Sequence, residues 1–119
     1  MKIHIIGGGN LGVAIALGIL KYTTGNQVTV TKRYIEVISY LQEKGIEISN
    51  NNAHHIQHAD IIVLTVKPHQ VESVVKEISE KIQNKTIISA VSGVSIQTIQ
   101  NLVNDNNAVM RIMPNIAGT

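Results

Sequence analysis

Residues 7–12 read GGGNLG, directly after the apolar run IHII, and here residue type and spacing first imply chemistry. Gly7, Gly9 and Gly12 fit the spacing G-x-G-x-x-G, which binds a pyrophosphate when it joins a strand to a helix. The first glycine permits the tight turn, the second lets backbone approach the phosphates, and the third lets helix and strand pack closely. Free N–H groups and the positive end of the helix dipole then face the anion. Gly8 has no role in this scheme.

Which dinucleotide is addressed depends on the end of the second strand. An NAD site usually carries Asp or Glu there, about 20 residues past the glycines, to accept from the ribose 2′-OH. Here that place reads Thr31, Lys32, Arg33, and the first acid after the glycines is Glu36. A hydroxyl and two cations suit a 2′-phosphate better than a diol. Cations at the start of a following helix also oppose its dipole, by about 0.3–1 kcal/mol each, unless an anion offsets them. NADP(H) is the expected cofactor, with NAD(H) still possible.

Other reactive residues support weaker readings. His54, His55 and His58 invite a metal, since 54 and 58 would share a helix face, but the expected helix is one turn long and only Asp60 lies beside them. A solvated polar face is the preferred reading, and no metal site is assigned. His69 reads as an exposed loop residue. Arg111 sits inside the apolar stretch VMRIM, where a buried guanidinium would need a partner, either a carboxylate or another domain. With no cysteine in the chain, disulfides, thiolate metal sites and a thiol nucleophile are excluded, and a reducing cytoplasm is the expected location.

These residues need elements to position them. Lys2 to Ile6 reads as a buried strand and Asn10 to Tyr22 as a helix, with Ala14, Ala16 and Gly18 expected to pack on a sheet. A second strand ends near Thr31, and a helix from Tyr34 to Glu43 carries Ile35, Ile38 and Leu41 at spacings of three. GIEIS forms a short third strand. Ile61 to Val66 is a continuous apolar run of the kind found where both faces of a parallel sheet are covered. Pro68 suits the first position of a helix with a stripe of Val71, Val74, Val75, Ile78 and Ile82. TIISAV is a fifth strand, Ser95 caps a helix carrying Ile96, Ile99, Leu102 and Val103, and AVMRIM is a sixth strand. Regular alternation implies right-handed crossovers: an α/β, Rossmann-type doubly wound parallel sheet of about six strands, order 3-2-1-4-5-6, with helices on both faces.

Composition agrees with one such domain across residues 1–119. Ten basic residues against eight acidic ones, without a basic cluster and without Phe or Trp, argue against nucleic-acid binding. No apolar run approaches the ~20 residues of a membrane span, and the N-terminus lacks signal-peptide features.

The stretches IIGGGNLGVAIALGIL, HADIIVLTVKPHQVESVVKEI, IISAVSGVSIQTI and VMRIMPN together resemble the N-terminal domain of the pyrroline-5-carboxylate reductase family. The resemblance implies reduction of the C=N bond of 1-pyrroline-5-carboxylate by hydride from NAD(P)H, giving L-proline. It implies that Ile6, Gly7, Gly8, Gly9, Asn10 and Leu11 wrap the pyrophosphate, with Gly12 completing the cofactor turn, and that Lys32 and Arg33 meet the adenosine 2′ side. Asn52 matches an asparagine that contacts the adenosine part, Val66, Lys67 and Pro68 line the cofactor beyond the fourth strand, Ser92 follows the fifth, and Asn115 lies near the nicotinamide.

In that family a helical C-terminal domain dimerises and supplies much of the substrate pocket. Its absence from this chain implies a cofactor domain that turns over slowly or not at all. The chain departs from the family at Ile116 and Ala117, where the family carries Thr-Pro. An iminium is already electrophilic, so no catalytic acid is assigned, and Lys67 reads as a cofactor contact. The other readings are another two-domain NADP-dependent dehydrogenase and a non-catalytic NADP-sensing module.

Overall fold

The computed structural model describes residues 1–113; Asn115, Ile116 and Ala117 lie outside the described residues. Six short apolar runs form strands: β1 (Lys2–Ile6), β2 (Gln27–Thr31), β3 (Glu47–Ser49), β4 (Ile61–Leu64), β5 (Thr86–Ser89) and β6 (Ala108–Arg111). They make one sheet in the order β3-β2-β1-β4-β5-β6, every neighbouring pair parallel. This is the expected Rossmann-type order. The chain moves outward from β1 twice, so the strand order reverses between β1 and β4.

The central strands need cover on both sides, and two hydrophobic layers supply it. On one face, Ile3, Ile5, Val28 and Val30 pack with Ala16 of α1 (Asn10–Tyr22) and with Ile38 and Leu41. On the other, Ile6, Ile62, Leu64 and Ile87 pack with Val71, Val74, Val75 and Ile78 of α2 (Val71–Ile78) and with Ile99 of α3 (Ile96–Gln100). Of the small residues expected to meet the sheet from α1, only Ala16 does so. Ala14 is exposed and Gly18 half-buried, while Gly12 is buried instead.

The segment expected as a helix over 34–43 is helical, a 3₁₀ helix over Ile35–Lys44. Its apolar residues Ile35, Ile38 and Leu41 recur every three positions, which is the 3₁₀ period, and β-branched Ile35, Val37 and Ile38 lower α propensity. The helix after β4 begins with a 3₁₀ turn, Pro68–Gln70, with Pro68 at its start, as expected for a residue lacking an N–H. Ser95 caps α3, its hydroxyl oxygen accepting from the Thr98 N–H at 3.1 Å. That helix stops at Gln100, short of the expected Leu102 and Val103.

Arg111 is exposed and on the edge strand, so it needs no buried partner; the apolar letters around it misled because an edge strand has one neighbour only. Among the described residues, every buried side-chain nitrogen and oxygen has a hydrogen-bond partner, and no helix is long and apolar enough to cross a membrane.

Candidate functional site

The carboxyl ends of β1, β2 and β4 open onto a groove of about 480 Å³ at the point where strand order reverses. In open parallel sheets this crevice is the ligand position. Its floor is the glycine turn. Gly7 has φ +108°, a conformation side chains rarely adopt, and a Cβ there would press on Thr65 at 2.8–3.0 Å. Gly12 packs so closely on the Gly7 carbonyl that a Cβ would overlap it. Gly8 has a packing role missed by motif spacing: a Cβ would lie 3.0 Å from the Lys32 Cβ and 3.2 Å from Val30 and Ile38. Around Gly9 no protein atom lies within 4 Å of a Cβ, so packing does not call for glycine there.

Thr65 holds the turn in shape. Its backbone N–H donates to the Ile6 carbonyl at 2.9 Å, and its hydroxyl lies 3.0 Å from the same oxygen and 2.6 Å from the Gly7 carbonyl. The side chain of Ile6 is buried in the core, so Ile6 supports the turn from below. α1 starts from Gly9 without a side-chain cap, and its first internal bond runs from the Val13 N–H to the Gly9 carbonyl. The N–H groups of Asn10 and Leu11 therefore have no intrahelical acceptor, and the helix presents them with its positive end.

One wall carries two cations. Lys32 and Arg33 line the groove, and the Lys32 ammonium donates to the Gly8 carbonyl at 3.0 Å. Arg33 is exposed and its guanidinium lies 5.5 Å from the ring centroid of Tyr34. The Thr31 hydroxyl, expected to share in anion recognition, is buried and points elsewhere: it donates to Asn52 Oδ1 at 2.8 Å.

Asn52 is held from three sides. Its Nδ2 donates to Glu77 Oε2 at 3.1 Å, which fixes the amide orientation because a carboxylate only accepts. Its backbone carbonyl accepts from His4 Nε2 at 3.1 Å, so Nε2 carries a hydrogen. Burial pushes the His4 imidazole down from 6.5 to about 4; the hydrogen bond to Asn52 acts the other way, and the neighbouring His54 lowers it further.

The opposite wall comes from β4 and α2. Val66 and Lys67 line the groove, and Pro68 begins the adjoining turn without lining it. Gln70, Ser73, Val74 and Glu77 also line it, although the sequence reading missed them. The signal was present, since positions 70, 73, 74 and 77 share a helix face. Thr31 and Thr65 were likewise legible as the residues at, or just past, the ends of parallel strands.

Asn10 lies beyond the turn, in a depression of about 320 Å³ between α1 and the 3₁₀ helix Ile35–Lys44, with Val13, Leu17 and Tyr40. Leu11 and Ser92 share a further depression of about 260 Å³ with Ala90, Val91, Arg111 and Ile112. Thus the residues expected around one ligand are spread over a main groove and two flanking hollows, joined by the glycine turn. His69 is exposed, as expected.

The residues fit a dinucleotide: the turn is closed to side chains at Gly7 and Gly12, open at Gly9, and flanked by helix N–H groups and two cations. Comparison with known proteins points the same way. The family described as NADP oxidoreductase, coenzyme F420-dependent, matches residues 2–93. A pyrroline-5-carboxylate reductase of Methanosarcina acetivorans is 34% identical over 122 residues, covering 99% of this chain and 45% of that protein. The structure of a pyrroline-5-carboxylate reductase from Coxiella burnetii superposes with a TM-score of 0.87 at 31% identity, over 95% of this chain and 43% of that one. The pyrroline carboxylate reductase of Plasmodium falciparum, solved with NADP bound, gives a TM-score of 0.80 at 26% identity, over 97% and 42%. The chain spans less than half the length of each of these relatives.

Proposed function

Because the chain belongs to the family of NADP oxidoreductases, coenzyme F420-dependent, we propose that it is the NADP(H)-binding domain of a reductase acting on the C=N bond of 1-pyrroline-5-carboxylate to give L-proline. The observation that carries the cofactor half of this reading is the placement of Lys32 and Arg33 in the same groove as the glycine turn. An acid that would select a ribose diol is absent from the end of β2, and two cations stand in its place. The substrate half rests on the relatives, which are pyrroline-5-carboxylate reductases.

The chain's own residues have separable tasks in this reading. Gly8, Gly9, Asn10 and Leu11 offer backbone to the pyrophosphate; Gly7, whose N–H donates to the Thr31 carbonyl, makes the turn that aims them, and Gly12 lets the helix sit close enough to do so. Lys32 exchanges its bond to the Gly8 carbonyl for the 2′-phosphate, while Arg33 adds a second cation over the adenosine. Asn52, oriented by Thr31 and Glu77, faces the adenosine ribose. Val66, Lys67 and Pro68 border the cofactor beyond β4; Ser92, and Asn115 outside the described residues, belong to the nicotinamide end. When bound, NADPH supplies the hydride that reduces the imine carbon. The protein's contribution is orientation and exclusion of water, and no side-chain acid of this chain is assigned to the reaction.

Residues 1–119 form a cofactor domain in this proposal, working with a helical domain that completes the substrate pocket and makes the dimer, in the cytoplasm. NADPH and NADH titrated by calorimetry into the wild type and a Lys32→Ala, Arg33→Ala variant test the cofactor assignment. NADPH is expected to bind at least about tenfold more tightly than NADH, a difference of about 1.4 kcal/mol, and the variant to lose that preference while retaining NADH binding. Equal affinities in the wild type would sink it. For the substrate, a chimera joining this chain to the remainder of the Coxiella relative is expected to oxidise NADPH with 1-pyrroline-5-carboxylate. A folded, NADPH-binding chimera without turnover contradicts that half alone.

A further inference from the structure

We propose that Glu47, His54 and His55 form a binding site for a divalent metal ion of the zinc class, separate from the dinucleotide groove. Sequence spacing pairs His54 with His58, one helical turn apart, and offers no carboxylate beside them but Asp60. The fold chooses a different set. β3 brings Glu47 against the connection that follows it, and His54 Nε2 lies 3.2 Å and His55 Nδ1 4.0 Å from Glu47 Oε1. One donor atom from each of the three residues lies within 4.8 Å of the other two. A tetrahedral ion with ligands at about 2.0–2.1 Å separates them by about 3.3 Å, so an inward movement of these exposed or half-buried side chains, with one of the stacked imidazoles turning so that both ring planes contain the ion, completes the site.

The local backbone brings the two imidazoles to the same side as Glu47. His55 adopts φ 55°, a left-handed conformation, and this turn sets its ring parallel to that of His54, 4.0 Å between centroids and 18° between planes. Adjacent residues in extended backbone would send their rings to opposite sides. Thr29 on β2 lies 3.5 Å from Glu47 Oε1 through its hydroxyl, the kind of outer contact that steadies a ligating carboxylate. Two imidazoles and a carboxylate match zinc, nickel, copper or cobalt, whereas magnesium and calcium take all-oxygen sets. Three protein ligands leave a coordination position for water. None of the three residues lines the cofactor groove.

The competing account is a plain His54–Glu47 hydrogen-bonded pair, and the test separates the two. The untagged full chain, stripped with chelator, is titrated with Zn²⁺ by calorimetry, with Mg²⁺ in parallel. One Zn²⁺ per chain in the micromolar range and no heat with Mg²⁺ is the expected result. Glu47→Gln, His54→Ala and His55→Ala are each expected to weaken binding about tenfold or more, and His69→Ala in a different loop to leave it unchanged. As a readout free of variants, the imidazole ¹⁵N resonances of His54 and His55 in the wild type should shift with Zn²⁺ while that of His69 stays in place. The proposal is overturned if the wild type binds no stoichiometric Zn²⁺, if the His54 and His55 resonances do not respond, or if the folded ligand variants bind as the wild type does.

Discussion

Four glycines stand within six residues, yet the structure gives them unlike reasons to be there. Gly7 is set by its backbone angle, Gly8 by the side chains of Lys32, Val30 and Ile38, and Gly12 by the carbonyl of Gly7. Only Gly9 is free of protein neighbours. Substitution by alanine should therefore separate folding from binding. Gly12→Ala forces a methyl into backbone that cannot rotate away, and overpacking of this kind costs about 1–3 kcal/mol, with the upper end expected. A fall in urea midpoint measures it. Gly9→Ala is expected to change stability by less than about 1 kcal/mol, because φ −78° suits alanine, while NADPH affinity measured by calorimetry drops. Equal loss of stability in the two variants would contradict the steric assignment.

At the scale of elements, most boundaries follow from local chemistry. The apolar runs of β1, β4 and β5, the proline after β4 and the serine before α3 all act where they stand in sequence. Ser95→Ala removes the acceptor for the Thr98 N–H and is expected to cost about 1 kcal/mol, read as a lower urea midpoint with unchanged m-value. Where the local signal was ambiguous, the tertiary structure decided. The segment 35–44 carries apolar residues at spacings of three, compatible with either helix type, and forms the 3₁₀ helix that lays Ile38 and Leu41 on the sheet. In β6 the apolar letters promised burial, but the strand sits at an edge, leaving Met110 and Arg111 exposed. Edge or centre follows from strand order, and the expected order already put this strand at the edge, where apolar letters alone are a poor guide to burial.

For the whole molecule, the buried His4 ties stability to pH. Its imidazole is neutral in the folded state, with burial as the first cause and His54, Glu47 and His55 as its charged or titratable neighbours. The charged form is disfavoured by folding, so the unfolded chain binds the extra proton first. His4 costs nothing above about pH 6.5; stability is lost as pH falls from 6.5 towards 4, by about 3 kcal/mol in all. Urea unfolding at pH 7.5 and 4.5 should show this loss in the wild type and much less of it in His4→Gln. An equal pH dependence in both would exclude His4 as its source.

The alternation of elements, the parallel sheet order and the glycine turn were legible in the sequence alone, because hydrophobic period, turn residues and short connections act over neighbouring positions. The orientation of Asn52 by Thr31 and Glu77, the packing of Gly8 and the meeting of Glu47 with His54 and His55 were decided only by tertiary structure. The Asn52 and Gly8 contacts join residues more than 20 positions apart, and Glu47 meets His54 and His55 only where the chain turns back after β3. Such contacts exist only once strand register has set which side chains share a face.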